Sequence, residues 1–299
     1  MGEVWGVLAA VLSSALGGTS IGATRYLVGA IDPLAIGSFR FGIGFALLLP
    51  VALLQGGRWP AHRDWLAVAG LGVLFFAVFP LLFNASLIFT TAARGALALS
   101  TLPLLTMLVG AALGSEALTL RKSLGVIVAM FGVALALLSG LSAAPSGAWR
   151  GDLLMVVAAL CMALYSIWSR SFIARSGPIR FTTMAMGVGA ACLILISCAR
   201  GSFAPVADFA IPQWLAATYL GAFGSALTFY LWAFALARTT PTRVAISVTV
   251  NPGAASVVGA VLLREPLSWN LAGGIVTVFA GIWIATISGR QPRPATQAT

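Results

Sequence analysis

The sequence predicts an all-α integral membrane protein of ten transmembrane helices, arranged as two inverted five-helix repeats. Three observations carry that expectation: a composition too apolar for a soluble domain, about ten apolar runs of bilayer length, and a self-resemblance at an offset of 149 residues.

Of 299 residues, 60% are hydrophobic and 8% charged, with a mean hydropathy of +1.02. A formal charge of +10 would point a soluble protein toward nucleic acid. Here the arginines sit between apolar runs, so they read as topology signals and no nucleic-acid partner is expected.

The runs fall near 4–24, 33–54, 65–86, 92–113, 123–141, 152–172, 181–199, 213–236, 241–263 and 270–288. A hydrocarbon core about 30 Å thick needs roughly 20 residues per helix, and lipid satisfies no backbone polar group, so each run is expected to be helical. The first run has no charged leader and reads as a retained span, not a signal peptide. Cys161, Cys192 and Cys198 lie in or at the ends of runs without paired spacing, which favours small packing residues over disulfide or metal chemistry. Residues 289–299 are polar and proline-containing and are expected to form a disordered tail.

Sorted by loop, eleven basic residues (Arg58, Arg63, Arg121, Lys122, Arg170, Arg175, Arg180, Arg238, Arg243, Arg290 and Arg293) fall on one side. Five (Arg25, Arg94, Arg150, Arg200 and Arg264) fall on the other. The positive-inside rule then puts both termini in the cytoplasm.

The repeat is visible in "GSEALTLRKSLG" at 114–125, whose Glu116, Leu118 and Gly125 return as Glu265, Leu267 and Gly274 in "LREPLSWNLAGG" at 263–274. The same offset brings Trp65 onto Trp214, Gly72 onto Gly221, Thr90 and Thr91 onto Thr239 and Thr240, Arg94 onto Arg243, Pro103 onto Pro252, and Gly132 onto Gly281. An offset of 145 brings Gly6 onto Gly151 and Pro33 onto Pro178, and the change falls in a loop, where insertions are tolerated. The expected units are 1–145 and 146–288, with the tail at 289–299. Five helices is an odd number, so the second unit is inverted, the arrangement by which secondary transporters open one central site to either side.

Three stretches carry a family resemblance: "DPLAIGSFRFGIGFALLLP" (32–50), "TTAARGALALSTLPLLTMLVGAALGSEALTLRKSLGVIVAMFGVAL" (90–135) and "TTPTRVAISVTVNPGAASVVGAVLLREPLSWNLAGGIVTVFAGI" (239–282). Over essentially its whole length the chain resembles the drug/metabolite transporter superfamily, EamA type, and within it is similar to bacterial exporters of aromatic and other amino acids of the YddG kind. The second repeat lacks the Arg40–Phe41 pair, with Ala185 and Met186 in those places. The resemblance implies a multi-pass protein of the bacterial inner membrane that passes a small-molecule substrate through a cavity lined by helices 1, 3, 4, 6, 8 and 9, without a cofactor.

Those helices offer faces for such a cavity. In helix 8, Ser225, Thr228, Phe229 and Trp232 fall at i, i+3, i+4 and i+7, and their mates in helix 3 are Phe76, Phe79, Pro80 and Phe83. An aromatic stripe serves helix packing or lipid contact equally well. Helix 1 presents Ser13, Gly17, Ser20 and Thr24, with Ser14 and Gly18 adjoining; small residues also serve close helix packing. Helix 6 offers Tyr165, with Ser166 and Trp168 beside it.

Helices 4 and 9 carry interior Pro103 and Pro252, preceded by Ser100, Thr101, Thr249 and Asn251. Each proline is expected to free a carbonyl, at Leu99 and Val248, for a ligand or for a neighbouring hydroxyl. Asn251 is the sharper candidate of this group, whereas Asn84 reads as interfacial.

The Thr-Thr pairs read as helix N-caps, with Pro241 at the first helical position. Arg94 and Arg243 then stand in first turns, where a cation is disfavoured, so two cross-repeat ion pairs are expected, Arg94 with Glu265 and Arg243 with Glu116. Snorkelling to headgroups is the alternative. Arg40 lies about two turns into helix 2, either structural or in contact with substrate.

No carboxylate stands mid-span, which argues against a proton relay of that kind. His62 sits in a loop, and the chain has no carboxylate pair, nucleophile elbow or phosphate loop, so an enzyme is not expected. A sensor or scaffold without flux, or an exporter of cationic drugs, are the competing functions.

Overall fold

The structure is a computed structural model describing residues 2–28, 30–90, 92–137, 147–254 and 269–286. Those residues are helical throughout apart from short turns, with no strand. The first half comprises α1 (Gly2–Val28), α2 (Pro33–Leu54), α3 (Trp65–Val73), α4 (Phe79–Phe89), α5 (Ala92–Leu99), α6 (Leu102–Ala112) and α7 (Leu120–Leu137). The second comprises α8 (Ala148–Ser176), α9 (Pro178–Ala199), α10 (Ile211–Gly221), α11 (Thr228–Leu236), α12 (Pro241–Ile246) and α13 (Trp269–Thr286). Each of the ten predicted runs contains a described helix. The start of α2 shows why the breaks fall where they do: Pro33 fixes the first turn, and the Asp32 side chain accepts from Leu34 N at 2.7 Å.

Inversion is read directly from the way repeat mates touch. In α7 and α13, Gly125 abuts Gly281 and Ala285, while Gly132 abuts Gly274 and Val278. One number rises as the other falls, so these mates run antiparallel. The contact is also reciprocal, because Gly125 and Gly274 are mates, as are Gly132 and Gly281. In α2 and α9, Gly37 faces Leu193 and Gly44 faces Met186, again antiparallel. Helix 3 crosses the opposite unit in both copies: Gly72 meets Ala185 of α9, and its mate Gly221 meets Ile43 of α2.

Two predicted spans depart from the α-helix at matching places. A π-helix at Leu74–Val78 joins α3 to α4, and another at Ala222–Leu227 joins α10 to α11. Similarly, a turn at residues 100–101 separates α5 from α6, and a 3-10 segment at Ser247–Val250 follows α12 before helix resumes at 251–254. At the 149 offset these irregularities coincide.

Several expectations are corrected. The prolines do not kink continuous helices: Pro103 stands in the first turn of α6, and Pro252 follows the 3-10 segment. Val248 O is not free, since it accepts from Asn251 N. Thr240, at the N-cap of α12, does not cap through its side chain, and its Oγ1 has no partner. Thr90 Oγ1 donates to Asp152 Oδ1 at 2.8 Å, and Thr91 lies outside the described residues.

Arg243 does not pair with Glu116. It forms an ion pair with Glu3 and donates from Nε to Ala285 O at 3.1 Å. Glu116 instead lies 2.6 Å from Lys122 Nζ and accepts the Thr242 backbone N–H at 3.0 Å, capping α12 from the other repeat. The first-turn anion is therefore present, but it binds backbone donors and leaves the guanidinium to a second carboxylate. Glu265 and the Arg94 side chain lie outside the described residues, as do the 145/146 boundary and the tail.

A methyl group on Gly125 would stand 2.6 Å from Ala285 Cβ and 2.7 Å from Gly281 O, whereas one on Gly70 would meet nothing. Thermal unfolding in detergent should show Gly125→Ala losing about 1–3 kcal/mol. Gly70→Ala should be neutral or about 0.5–1 kcal/mol more stable. Equal responses would mean that α7 and α13 do not pack this closely.

Candidate functional site

The π-helices and the broken fourth and ninth spans surround one central pocket. Its walls come from α1, α2, α4 and α11, closed by Leu99, Met162, Val248 and Asn251. Its non-atom space, open solvent included, is about 860 Å³. Thr24, Ile36 and Asn84 extend the pocket toward the face where α1 ends and α2 begins. At the opposite face the Glu3–Arg243 pair and the Glu116 cap tie the repeats together.

Of the residues predicted to bind substrate, Ser14, Phe79, Phe83, Thr228, Trp232 and Asn251 line this pocket. Ser14 Oγ lies 2.8 Å from Ser247 Oγ, and Trp232 Nε1 donates to Ser166 Oγ at 3.3 Å. The Asn251 side-chain oxygen is buried with no protein partner. An amide acceptor desolvated beside a cavity costs free energy unless a ligand donates to it.

The remaining five do not line it. The helix 8 stripe fails at Ser225 because the π-helix shifts the register. Ser225 is turned against Gly44 and Met186, while Thr228, Phe229 and Trp232 face the pocket. Their mates behave alike, with Phe76 buried in the core and Phe79, Pro80 and Phe83 on the wall. Tyr165 is fully buried and stacks on Phe75 with ring centroids 4.1 Å apart. Its ring packs with Phe76 and Phe181 as well, so it builds the core beneath the site. Trp168 is 46% exposed and lies against α3 on the outer surface. Ser20 donates to Leu16 O at 2.7 Å and packs against Gly224. Ser100 is buried away from the pocket. Of the proposed gating residues, Pro103 is buried outside it and Pro252 lines a separate crevice against α13.

Arg40, left undecided by the sequence, stands in the wall. Its Nη2 and Nε donate to Gly224 O at 2.7 and 3.2 Å, and the guanidinium lies 5.5 Å from the Phe41 ring and 5.9 Å from the Phe229 ring. Gly224 belongs to the second π-helix, where the normal i−4 donor is displaced. Thr228 Oγ1 adds a second donor to Phe223 O at 2.6 Å, beside the Thr228 N–H, and Ser13 Oγ donates to Thr228 O at 2.8 Å. A guanidinium has five N–H donors, so Gly224 leaves most of them available. No carboxylate among the described residues pairs with Arg40. The site thus presents one uncompensated cation, one unpartnered amide oxygen, and aromatic walls from Phe41, Phe79, Phe83, Phe229 and Trp232. The one sequence signal that could have found Arg40 was its charge inside a span.

A model of the EamA-like transporter family matches the chain twice, over residues 4–138 and 149–287. An uncharacterized transporter of Bacillus subtilis, YyaM, is 24% identical over 92% of each chain. A protein of Pseudomonas aeruginosa without an assigned function is 30% identical, covering 85% of this chain and 84% of its own. A probable terminal-alkyne amino-acid exporter of Streptantibioticus cattleyicolor is 28% identical, covering 77% of this chain and 75% of its own. A solved crystal structure shares the fold with a TM-score of 0.78 at 24% identity, covering 96% of this chain and 98% of that one. Two inverted helical repeats around a central pocket, each matched in turn by the same model, place this chain in the EamA-like transporter family, within the drug/metabolite transporter superfamily.

Proposed function

We propose that the chain exports amino acids, aromatic and other, or related small metabolites by alternating access across a bacterial inner membrane, with both termini cytoplasmic. The two units would be residues 1–145 and 146–288. The observation that carries this reading is that one aromatic pocket holds both Arg40, a cation with no anion among the described residues, and the unpartnered oxygen of Asn251. A substrate carboxylate would take the free Arg40 donors, an ammonium would donate to Asn251, and an apolar side chain would lie against the phenylalanines and Trp232. The amino-acid exporter among the relatives supports the same class. Arg40 in the wall also disfavours a cationic drug as cargo. Without a mid-span carboxylate, movement would run down the substrate gradient.

Proteoliposomes preloaded with radiolabelled phenylalanine test this. Saturable exchange that is insensitive to an imposed pH gradient is expected. Retention of the label, with ligand bound but not moved, would favour a sensor.

Arg40→Gln should weaken competition by phenylalanine by about 10- to 100-fold, the size of a lost hydrogen bond to a charged group, and leave competition by phenethylamine, a cation without a carboxylate, unchanged or stronger. Equal weakening of both would assign Arg40 to the π-helix alone. Asn251→Ala should raise the apparent Kd for phenylalanine by about 5- to 20-fold, while Trp168→Leu should leave it unchanged, as measured by scintillation proximity binding.

A further inference from the structure

A second cavity opens at the other end of the bundle, among the 55–58 loop, the α8–α9 turn and the end of α11. Four guanidiniums line it, those of Arg58, Arg175, Arg180 and Arg238, with Tyr230 and Phe234 as its apolar wall. None of these residues belongs to the central pocket.

Three independent features show a built site. First, Arg180 is 6% exposed and held in place: Nε donates to Ala52 O at 3.1 Å and Nη2 donates to Gln55 O. Its guanidinium lies 5.6 Å from the Trp59 ring. Second, Gly57 has φ +139°, and a methyl group there would overlap Arg180 Nη1, so the loop's glycine lets its backbone close over the guanidinium. Third, the 22-residue helix α9 begins in the cavity at Pro178, behind Gly177, with no side-chain cap. Pro178 has no N–H and Phe181 N donates to Gly177 O at 3.3 Å, so the Ile179 and Arg180 amides are the first-turn donors without an intrahelical acceptor, and they favour an anion.

The charges do not balance. Arg175 pairs with Asp64 at 3.1 Å, and Arg238 lies over the Phe234 ring at 3.4 Å. Among the described residues, neither Arg58 nor Arg180 pairs with a carboxylate. Simple topology signals would extend freely into solvent, whereas Arg180 is buried at a helix N-terminus. Guanidinium forks and helix N-terminal amides match the several acceptor oxygens of a phosphate group. Exposed Trp59, Trp65 and Leu54 put the cavity at the level of an interface.

We propose that this cavity is a phosphate-group site, filled by the headgroup of an anionic phospholipid or by a free phosphate anion at the face where α1 begins. It does not rest on the transport reading.

The test is thermal unfolding of the purified full chain in neutral detergent. Phosphatidylglycerol is compared with phosphatidylcholine, and potassium phosphate with potassium chloride at matched ionic strength. At least one of the first-named probes should raise the wild-type midpoint by roughly 3 °C or more. The shift should be lost in Arg58→Gln/Arg238→Gln and kept in Arg58→Lys/Arg238→Lys; if the double variant does not fold, Arg58→Gln alone should at least halve it. A response to phosphatidylglycerol alone identifies a lipid, a response to phosphate alone a soluble anion, and a response to both shows that the phosphate group suffices. No shift with either, or an equal shift in the glutamine variant, overturns the site.

Discussion

In hydrocarbon a backbone carbonyl without a donor has no water to turn to, and this one constraint organises the middle of the molecule. Every described departure from α-helical geometry within a span lies in the third, fourth, eighth and ninth spans, beside the pocket. A displaced carbonyl must find another donor, and at the second π-helix Arg40 donates to Gly224 O. Thr228 Oγ1 adds a second donor to Phe223 O, which already accepts the Thr228 N–H, and Ser13 Oγ donates to Thr228 O. In the broken spans, Thr101 and Thr249 add hydroxyl donors to Ala98 O and Ile246 O at 2.7 and 2.6 Å. Arg40, Ser13 and Thr228, all in the pocket wall, thus commit donors to the backbone around the second π-helix. The Asn251 oxygen, by contrast, serves no backbone group.

The inverted pairing explains how such a site can sit on a seam. Mates pack against each other antiparallel, α7 on α13 through glycines that bring backbones into contact and α2 on α9 through glycines that receive side chains. The two units are nevertheless unequal where they meet the pocket. The first contributes phenylalanines in α4, and the second a hydroxyl and an indole in α11. Arg40 has Ala185 as its mate, so the cation belongs to one side only. A site of this kind can orient a small amphipathic ligand that a symmetric one could not.

Much of this was legible in the sequence, because composition, run length and the 149-residue offset depend on many residues at once. The pocket faces of α1 and α4 followed from ordinary helical spacing, as Ser14, Phe79 and Phe83 show. What failed did so locally. The π-helix moved Ser225 to the wrong side of an otherwise correct stripe. Tyr165 and Trp168 stand on a regular helix, but which neighbour each face meets depends on packing across the repeats. The partner of Arg243 was misjudged because α1 begins with Glu3 at the same face, and only the tertiary arrangement brings the two together.

The pocket reaches toward one face, while the Glu3–Arg243 pair and the Glu116 cap join the repeats at the other. The proposed alternating access would require those links to part in each cycle. The most direct measurement replaces Glu3 and Arg243 by cysteine after Cys161, Cys192 and Cys198 are changed to alanine, and joins the pair with a short bis-methanethiosulfonate linker. Phenylalanine exchange in proteoliposomes is then followed before linking, after it, and after reduction. Loss of exchange on linking with recovery on reduction is the predicted result, and exchange at the unlinked rate while the linker is in place would contradict it.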